Sequence, residues 1–292
     1  MHEKPDHSPI KTHFVQHKTP TWHVVVAYSI LGMFTFLTIA PLIWMSYTSF
    51  KPNKQIIQNI FSLPHSLFLD NYIIAWQRGN LGVAMFNSFF YSFLATFITT
   101  FLALSTGYGL TKFPYKKFSA FFYSFFIMGL LISVHSILVP LFVMETTLNI
   151  DNTRIGILIP YIGFGLPFSI YLAVSYIRDI PKEVEDAARI DGAGYLVTFT
   201  RIIIPMSLPV TTTMIIFSFL ANWNDFIFVF ILISKEALRS LPVSLNAFAG
   251  GRSRDLGLLF AALVIATIPI ILFYVIFRKH IVRGFAAGSI KG

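Results

Sequence analysis

The residues able to do chemistry fall in three places. Inside a long apolar stretch, Asn222-Trp223-Asn224-Asp225 sets two amides, an indole and a carboxylate on consecutive positions. Such a set offers hydrogen bonds to ligand hydroxyls and an aromatic face for stacking. A carboxylate near the middle of a membrane helix costs on the order of 2.5–3.5 kcal/mol, so Asp225 must face water, protein or a ligand. Two readings stay open: a ligand contact, or a bond to a neighbouring helix or subunit. His135, in Ser133-Val134-His135-Ser136, has the same choice, as an imidazole bonding across helices, lining a wet cavity or carrying a proton. The third place is a polar island, Glu185-Asp186-Ala187-Ala188-Arg189-Ile190-Asp191-Gly192, continued to Ile202, Ile204 and Pro205. Its charges cannot be lipid-facing, and its order suits it to grip a soluble partner.

Other chemistry is excluded or weak. The chain has no cysteine, which removes disulfides, thiol catalysis and iron–sulfur clusters. Five of the eight histidines, His2, His7, His13, His17 and His23, lie in the first 23 residues. His13 and His17 have the spacing of two ligands on one helical turn, but no third ligand accompanies them, so a solvated tail and no metal site are expected.

The elements that hold these groups are membrane helices. Apolar residues make up 55% of the 292 positions and charged residues only 12%, half the share of a soluble domain, and mean hydropathy is +0.70. Six apolar stretches, near 22–50, 82–111, 118–144, 155–177, 206–233 and 256–277, are each long enough to cross a hydrocarbon core of about 30 Å. The first follows a polar tail and has no small-residue cleavage site, which predicts an anchor and not a removed signal. The net charge of +9 does not imply nucleic acid, because the basic residues sit between apolar runs. Of 22 Lys and Arg, 14 fall in the N-terminal tail, the loop 112–117, the polar island and the C-terminal tail. This bias predicts that both termini are cytoplasmic.

On that plan the island joins spans four and five on the cytoplasmic side. Pro181 suits a first helical turn, Glu183, Glu185 and Asp186 favour its positive end, and Gly192 permits the turn that stops it. Tyr195, Leu196, Phe199, Ile202 and Ile203 recur at helical spacing and give a second short helix an apolar stripe. The alternative is an amphipathic connector on the lipid surface, but four basic and five acidic residues from 178 to 205 suit anionic lipid poorly.

The spacing Ala187-Ala188, three residues, Gly192, nine residues, Ile202, one residue, Ile204-Pro205 resembles the EAA loop of ABC importer permeases. Asp186 stands where that family usually has Glu, and Ile204 where it usually has Leu, both conservative. Asp191-Gly192-Ala193 with Phe199 and Pro205-Met206 is most similar to the carbohydrate-uptake branch, in particular to the maltose permease subunit that lacks a large external domain. Leu69-Asp70-Asn71-Tyr72, Asn87-Ser88, Tyr108-Gly109-Leu110, Val139-Pro140-Leu141, Leu241-Pro242-Val243 and the Gly-rich C-terminus extend the likeness over nearly the whole chain.

The resemblance implies an all-α polytopic membrane protein with six transmembrane helices, a MetI-like core of five preceded by one extra span. The expected divisions are a cytoplasmic tail 1–21, a first span 22–50, a core 82–282 that includes a coupling loop 178–205, and a cytoplasmic tail 283–292. It further implies a permease subunit in the inner (cytoplasmic) membrane of a bacterium or archaeon. The chain would form half of a pathway for a sugar, oligosaccharide or polyol. A second homologous permease subunit, two ATP-binding cassette subunits and an extracytoplasmic solute-binding protein would complete the transporter. Glu185, Asp186, Ala187, Ala188, Asp191, Gly192, Ala193, Ile202 and Pro205 would couple to the ATPase. Asn222, Trp223, Asn224, Asp225 and His135 would be candidates for the substrate pathway. The chain itself would be no enzyme and hold no cofactor, since it has no G-x-x-x-x-G-K-[ST] phosphate cradle; ATP and Mg would belong to the partner ATPases. The competing readings are a permease for a non-carbohydrate solute and a secondary transporter, which should show charge pairs or repeated halves within the membrane.

Overall fold

A computed structural model of the chain describes residues 21–112, 115–249 and 255–289, with only the backbone described at residue 21 and from residue 280 onward. His2, His7, His13 and His17 of the tail, and Arg252 and Arg254, lie outside these residues. Among the described residues the fold is all-α, without strands. The elements are α1 (Thr21–Thr48), α2 (Asn53–Gln58), α3 (Asp70–Arg78), α4 (Leu81–Lys112), α5 (Lys116–Met128), α6 (Val134–Thr147) and α7 (Arg154–Arg178). There follow α8 (Lys182–Ile190), α9 (Tyr195–Thr198), a π-turn (Phe199–Ile203), α10 (Ile204–Met206), α11 (Leu208–Trp223), α12 (Ile227–Leu232), α13 (Leu241–Ala249) and α14 (Leu256–Ser289).

Four helices, α1, α4, α7 and α14, are long and apolar enough to cross a membrane. They fall on the first, second, fourth and sixth expected stretches. The third expected stretch is a broken pair, α5 with its 3₁₀ turn meeting α6 at 100°. The fifth, expected at 206–233, is divided into α11 and α12, with α11 bent by 75° from the preceding segment Tyr195–Met206, so that the described residues hold six spans if each bent pair is one. The first break is at Ile132 and Ser133, both extended in backbone, and not at Pro140, which stays inside α6. The second falls at Ser207, next to Pro209, whose ring removes an amide donor.

The segment up to Met45 is a unit by itself. Its described part, 21–45, is helical, and Thr35 and Thr38 donate their hydroxyls to the carbonyls of Leu31 and Phe34, at 2.8 and 2.9 Å, so no polar group of these side chains is left bare in an apolar setting.

From Ser46 onward α4 is the spine. Its first turns pack with α3, α11, α13 and α14 around Leu81, Ala84, Phe219, Trp223 and Ala262. Its middle, at Tyr91 and Ala95, packs with Ile157 and Tyr161 of α7 and with Val229 and Leu232 of α12. Its last turns, at Ala103, Leu104 and Tyr108, pack with Ile170, Ala173 and Ile177 of α7 and with Phe199, Ile203 and Met214. Hydrophobicity cannot select partners in lipid, where the tails are as apolar as leucine, so close packing of small residues and hydrogen bonds must do so. The buried stripe Ala84, Ser88, Ser92, Thr96, Thr99, Ala103 and Gly107 is made of small side chains at helical spacing. A Cβ on Gly107 would stand 2.8 Å from that of Ala173 and 3.3 Å from the α7 backbone.

Side chains then clasp the connections. Asn87 donates to the carbonyls of Ala237 (2.8 Å) and Arg239 (3.1 Å), Tyr91 donates to that of Leu238 (3.0 Å), and Ser88 Oγ accepts from the Leu241 amide (2.8 Å). Asn71 likewise donates to the carbonyls of Ser49 and Lys51, both at 2.8 Å.

The closeness of α4 to α7 is open to a direct test. Gly107→Leu should destabilise the protein by about 1–3 kcal/mol through overpacking, read as a lower Tm in detergent, while Gly163→Leu, at a position with nothing within 4 Å of the added Cβ, should leave Tm nearly unchanged.

Candidate functional site

The polar island is built from the end of α7 outward. Arg178 closes α7, and Pro181, with φ −55° and ψ 139°, is the N-cap residue of α8, one position ahead of the first turn. Glu183 and Glu185 occupy the first turn of α8 and Arg189 the last, as the helix dipole favours. The helix ends in a Schellman motif: the Ala193 amide donates to Ala188 (2.9 Å) and the Gly192 amide to Arg189 (3.0 Å), with Gly192 at φ +80°. Gly192 has nothing within 4 Å of where a Cβ would stand, so glycine is required here by backbone conformation and not by space.

One face of α8 is fixed to the spine. Glu185 is buried and its Oε1 lies 2.6 Å from Lys112 Nζ, both side chains 7% exposed, and Lys112 also donates to the Ile180 carbonyl at 3.1 Å. Ala188 is buried on the same face. Asp186, Ala187, Asp191 and Gly192 are exposed, Ala193 and Ile202 half-buried, and Pro205 exposed. The expected apolar stripe divides in two. Phe199 and Ile203 enter the core, with Phe199 stacked on Tyr108 at 5.4 Å between centroids. Tyr195 and Leu196 face outward at 51% and 75% exposure, and Ile190, which the sequence pattern does not single out, stands 87% exposed. The island thus has a buried root and an apolar tip.

The second cluster is the break between α11 and α12. Asp225 lies against the backbone amides of Ile227, Phe228 and Val229 at the first turn of α12. It also accepts a hydrogen bond from the Tyr161 hydroxyl at 3.0 Å. The carboxylate therefore finds the protein partners that its cost in lipid demands. Trp223 is 5% exposed, packed in the core, and its ring stacks on Phe219 at 5.8 Å. Asn224 is exposed and donates to the Leu220 carbonyl of its own helix at 2.8 Å, and Asn222 is half-buried. His135 is exposed in the first turn of α6, with no hydrogen bond to Asp225. No cluster of three or more potential metal ligands occurs among the described residues.

Two further polar residues carry no distinguishing mark in the sequence. Lys112 has there only the look of a topology charge. Glu145, one position past the expected end of a span, is fully buried with no hydrogen-bond partner among the described residues, beside Gly156 at the start of α7.

A broken-helix membrane core with a short protruding helix between two spans defines a class, the membrane subunits of multicomponent transport systems. Residues 99–287 match the family described as binding-protein-dependent transport system inner membrane component, and the chain belongs to it. It is 35% identical over 252 residues to the probable ABC transporter permease protein YurM of Bacillus subtilis, covering 86% of this chain and 83% of that one. It is 30% identical to the diacetylchitobiose uptake system permease protein NgcG of Streptomyces coelicolor, covering 91% and 88%. Among solved structures, a chain of a bacterial ABC transporter involved in import of the acidic polysaccharide alginate superposes with a TM-score of 0.76 at 22% identity, over 89% of this chain and 99% of that one, a likeness of fold.

The anchoring contacts have measurable costs. Lys112→Ala and Glu185→Ala should each cost about 3–5 kcal/mol, because each leaves a buried charge alone; the exchanged pair Lys112→Glu with Glu185→Lys should recover part of the lost Tm. Tyr161→Phe and Asp225→Ala should each lower stability by about 1–3 kcal/mol. Their double mutant should fall short of the sum, with transport per folded molecule unchanged.

Proposed function

We propose that the chain is one half of the transmembrane pathway of an ATP-driven importer for a sugar, oligosaccharide or polyol. Family membership and the relatives named for saccharide uptake support the class. The observation that carries the mechanism is the geometry of α8 and α9, an exposed apolar tip at Ile190, Tyr195 and Leu196 on a root tied to α4 by the buried Lys112–Glu185 pair.

In this reading a second permease subunit supplies the other half, two ATP-binding cassette subunits supply the energy, and an extracytoplasmic solute-binding protein delivers the substrate. ATP and Mg bind on the cassette subunits, and this chain holds neither. Both termini and the α8 element face the cytoplasm, as the distribution of Lys and Arg favours, and the membrane is the inner one. Ile190, Tyr195 and Leu196 enter a groove of the ATPase, where each large apolar side chain contributes roughly 1.5–3 kcal/mol when fully buried. Asp186, Ala187, Asp191, Gly192, Ala193 and Pro205 border that contact, while Glu185 and Ala188 transmit its displacement to α4. Asn222, Asn224 and His135 keep exposed or half-buried polar surface and are the residues of this chain to meet substrate. Asp225 and Trp223 hold the helix break in shape.

The test is ATP hydrolysis by the reconstituted complex with its binding protein. Saccharides should stimulate it, and Ile190→Asp with Leu196→Asp should reduce the stimulation at least about tenfold, two apolar anchors of an interface being lost, while membrane insertion is retained. Undiminished stimulation would remove α8 as the coupling element.

A further inference from the structure

Beneath α8 lies a cleft of about 810 Å³, walled by the end of α4, the start of α5, the end of α7 and α8 itself. Its lining carries Lys112, Lys116, Arg178, Lys182 and Arg189 against only Glu185 and Asp186. Lys112 and Glu185 neutralise one another. That leaves four cations facing one carboxylate, and none of the four is in an ion pair among the described residues. The Arg178 guanidinium lies over the Tyr123 ring, 5.9 Å from its centroid, which holds it at the cleft wall. Ser119, Tyr123 and Ser124 add hydroxyls to the same lining.

A second hollow of about 370 Å³ opens between α4 and α5 and shares Leu110 and Ser119 with the first. Its other walls are Thr106, Gly109, Tyr115, Phe118, Phe122 and Phe126, with Phe118 and Phe122 in contact at 4.4 Å between ring centroids. No ionisable side chain other than the Tyr115 phenol lines it. A cationic chamber thus adjoins an apolar hollow along a membrane helix.

We propose that the two hollows form one site for an anionic phospholipid, its phosphate-bearing headgroup among Lys116, Arg178, Lys182 and Arg189 and an acyl chain along Phe118, Phe122 and Phe126. A soluble anion would use only the first hollow and a neutral lipid only the second; the adjacency of the two fits an amphiphile with a negative head. Cationic residues at a membrane boundary attract anionic headgroups by roughly a factor of five per charge. Because Lys182 and Arg189 are on α8 and Lys116 is on α5, the headgroup bridges the protruding helix to the first half of a broken span. The lipid is therefore part of the structure that holds α8, separate from the apolar tip that meets the ATPase.

The complex is purified in detergent, stripped of lipid, offered mixtures of phosphatidylglycerol and phosphatidylcholine, and the retained lipid is quantified by native mass spectrometry. Wild type should retain phosphatidylglycerol preferentially. Lys116→Gln with Arg178→Gln should lower that preference about 30-fold, the loss of two such charges, with unchanged assembly on size exclusion. Thr106→Trp, which fills the apolar hollow and leaves the four cations in place, should also release phosphatidylglycerol. Equal retention of the two lipids by wild type, or an undiminished preference in the double variant, overturns the proposal. Full retention in Thr106→Trp overturns it as well, by reducing the site to a small-anion chamber.

Discussion

A charge withdrawn from water at the end of a membrane helix must be matched at once, and the Lys112–Glu185 pair is where this chain meets that demand. Lys112 is the last residue of the spine helix, and Glu185 lies in the first turn of the protruding one. Besides the pair, α8 is joined to the membrane helices by the buried Ala188 face and by the short connections at Asp179–Pro181 and Asp191–Gly194. Through the pair, a force on α8 enters α4 directly. The Lys112 bond to the Ile180 carbonyl ties the α7–α8 corner to the same ammonium. A buried ion pair is poor evidence of net stability, since desolvation offsets much of the attraction. What it provides is a fixed register, because removing either partner strands the other.

A displacement that enters α4 travels only as far as α4 is stiffly packed. Small side chains along its buried stripe bring α7 so near that a single added methyl at position 107 would meet Ala173. At the other end, Asn87, Ser88 and Tyr91 bind the connection 237–241. The breaks are elsewhere, between α5 and α6 and between α10 and α11. The molecule thus joins a closely packed pair of helices to two bent ones.

How much of this is legible in the sequence differs by level. Hydropathy marks α1, α4, α7 and α14 because length and absence of charge are enough to identify a span. It gives 118–144 as one crossing, whereas the chain turns by 100° within it. Proline is the natural suspect, yet Pro140 is accommodated in α6 and the turn is made by two residues of ordinary type, Ile132 and Ser133. A span's existence is a property of composition; its bend depends on what packs against it. The same distinction governs Asp225 and Trp223. Their types and spacing are those of a ligand site, and only Tyr161, sixty-four positions away in sequence, and Phe219 reveal that both are engaged within the protein.

The island's apolar residues obey the same distinction at closer range. Helical spacing groups Tyr195, Leu196, Phe199, Ile202 and Ile203 as one stripe, and the turn from Tyr195 to Thr198 is α-helical, widening into a π-turn only at Phe199–Ile203, so position along the segment and not rotation about it separates Tyr195 from Phe199. Phe199 and Ile203 are delivered to the core, and Tyr195 and Leu196 are turned out beside Ile190. A single short segment is thus rooted in the core at Phe199 and Ile203 and still presents exposed apolar residues at Ile190, Tyr195 and Leu196.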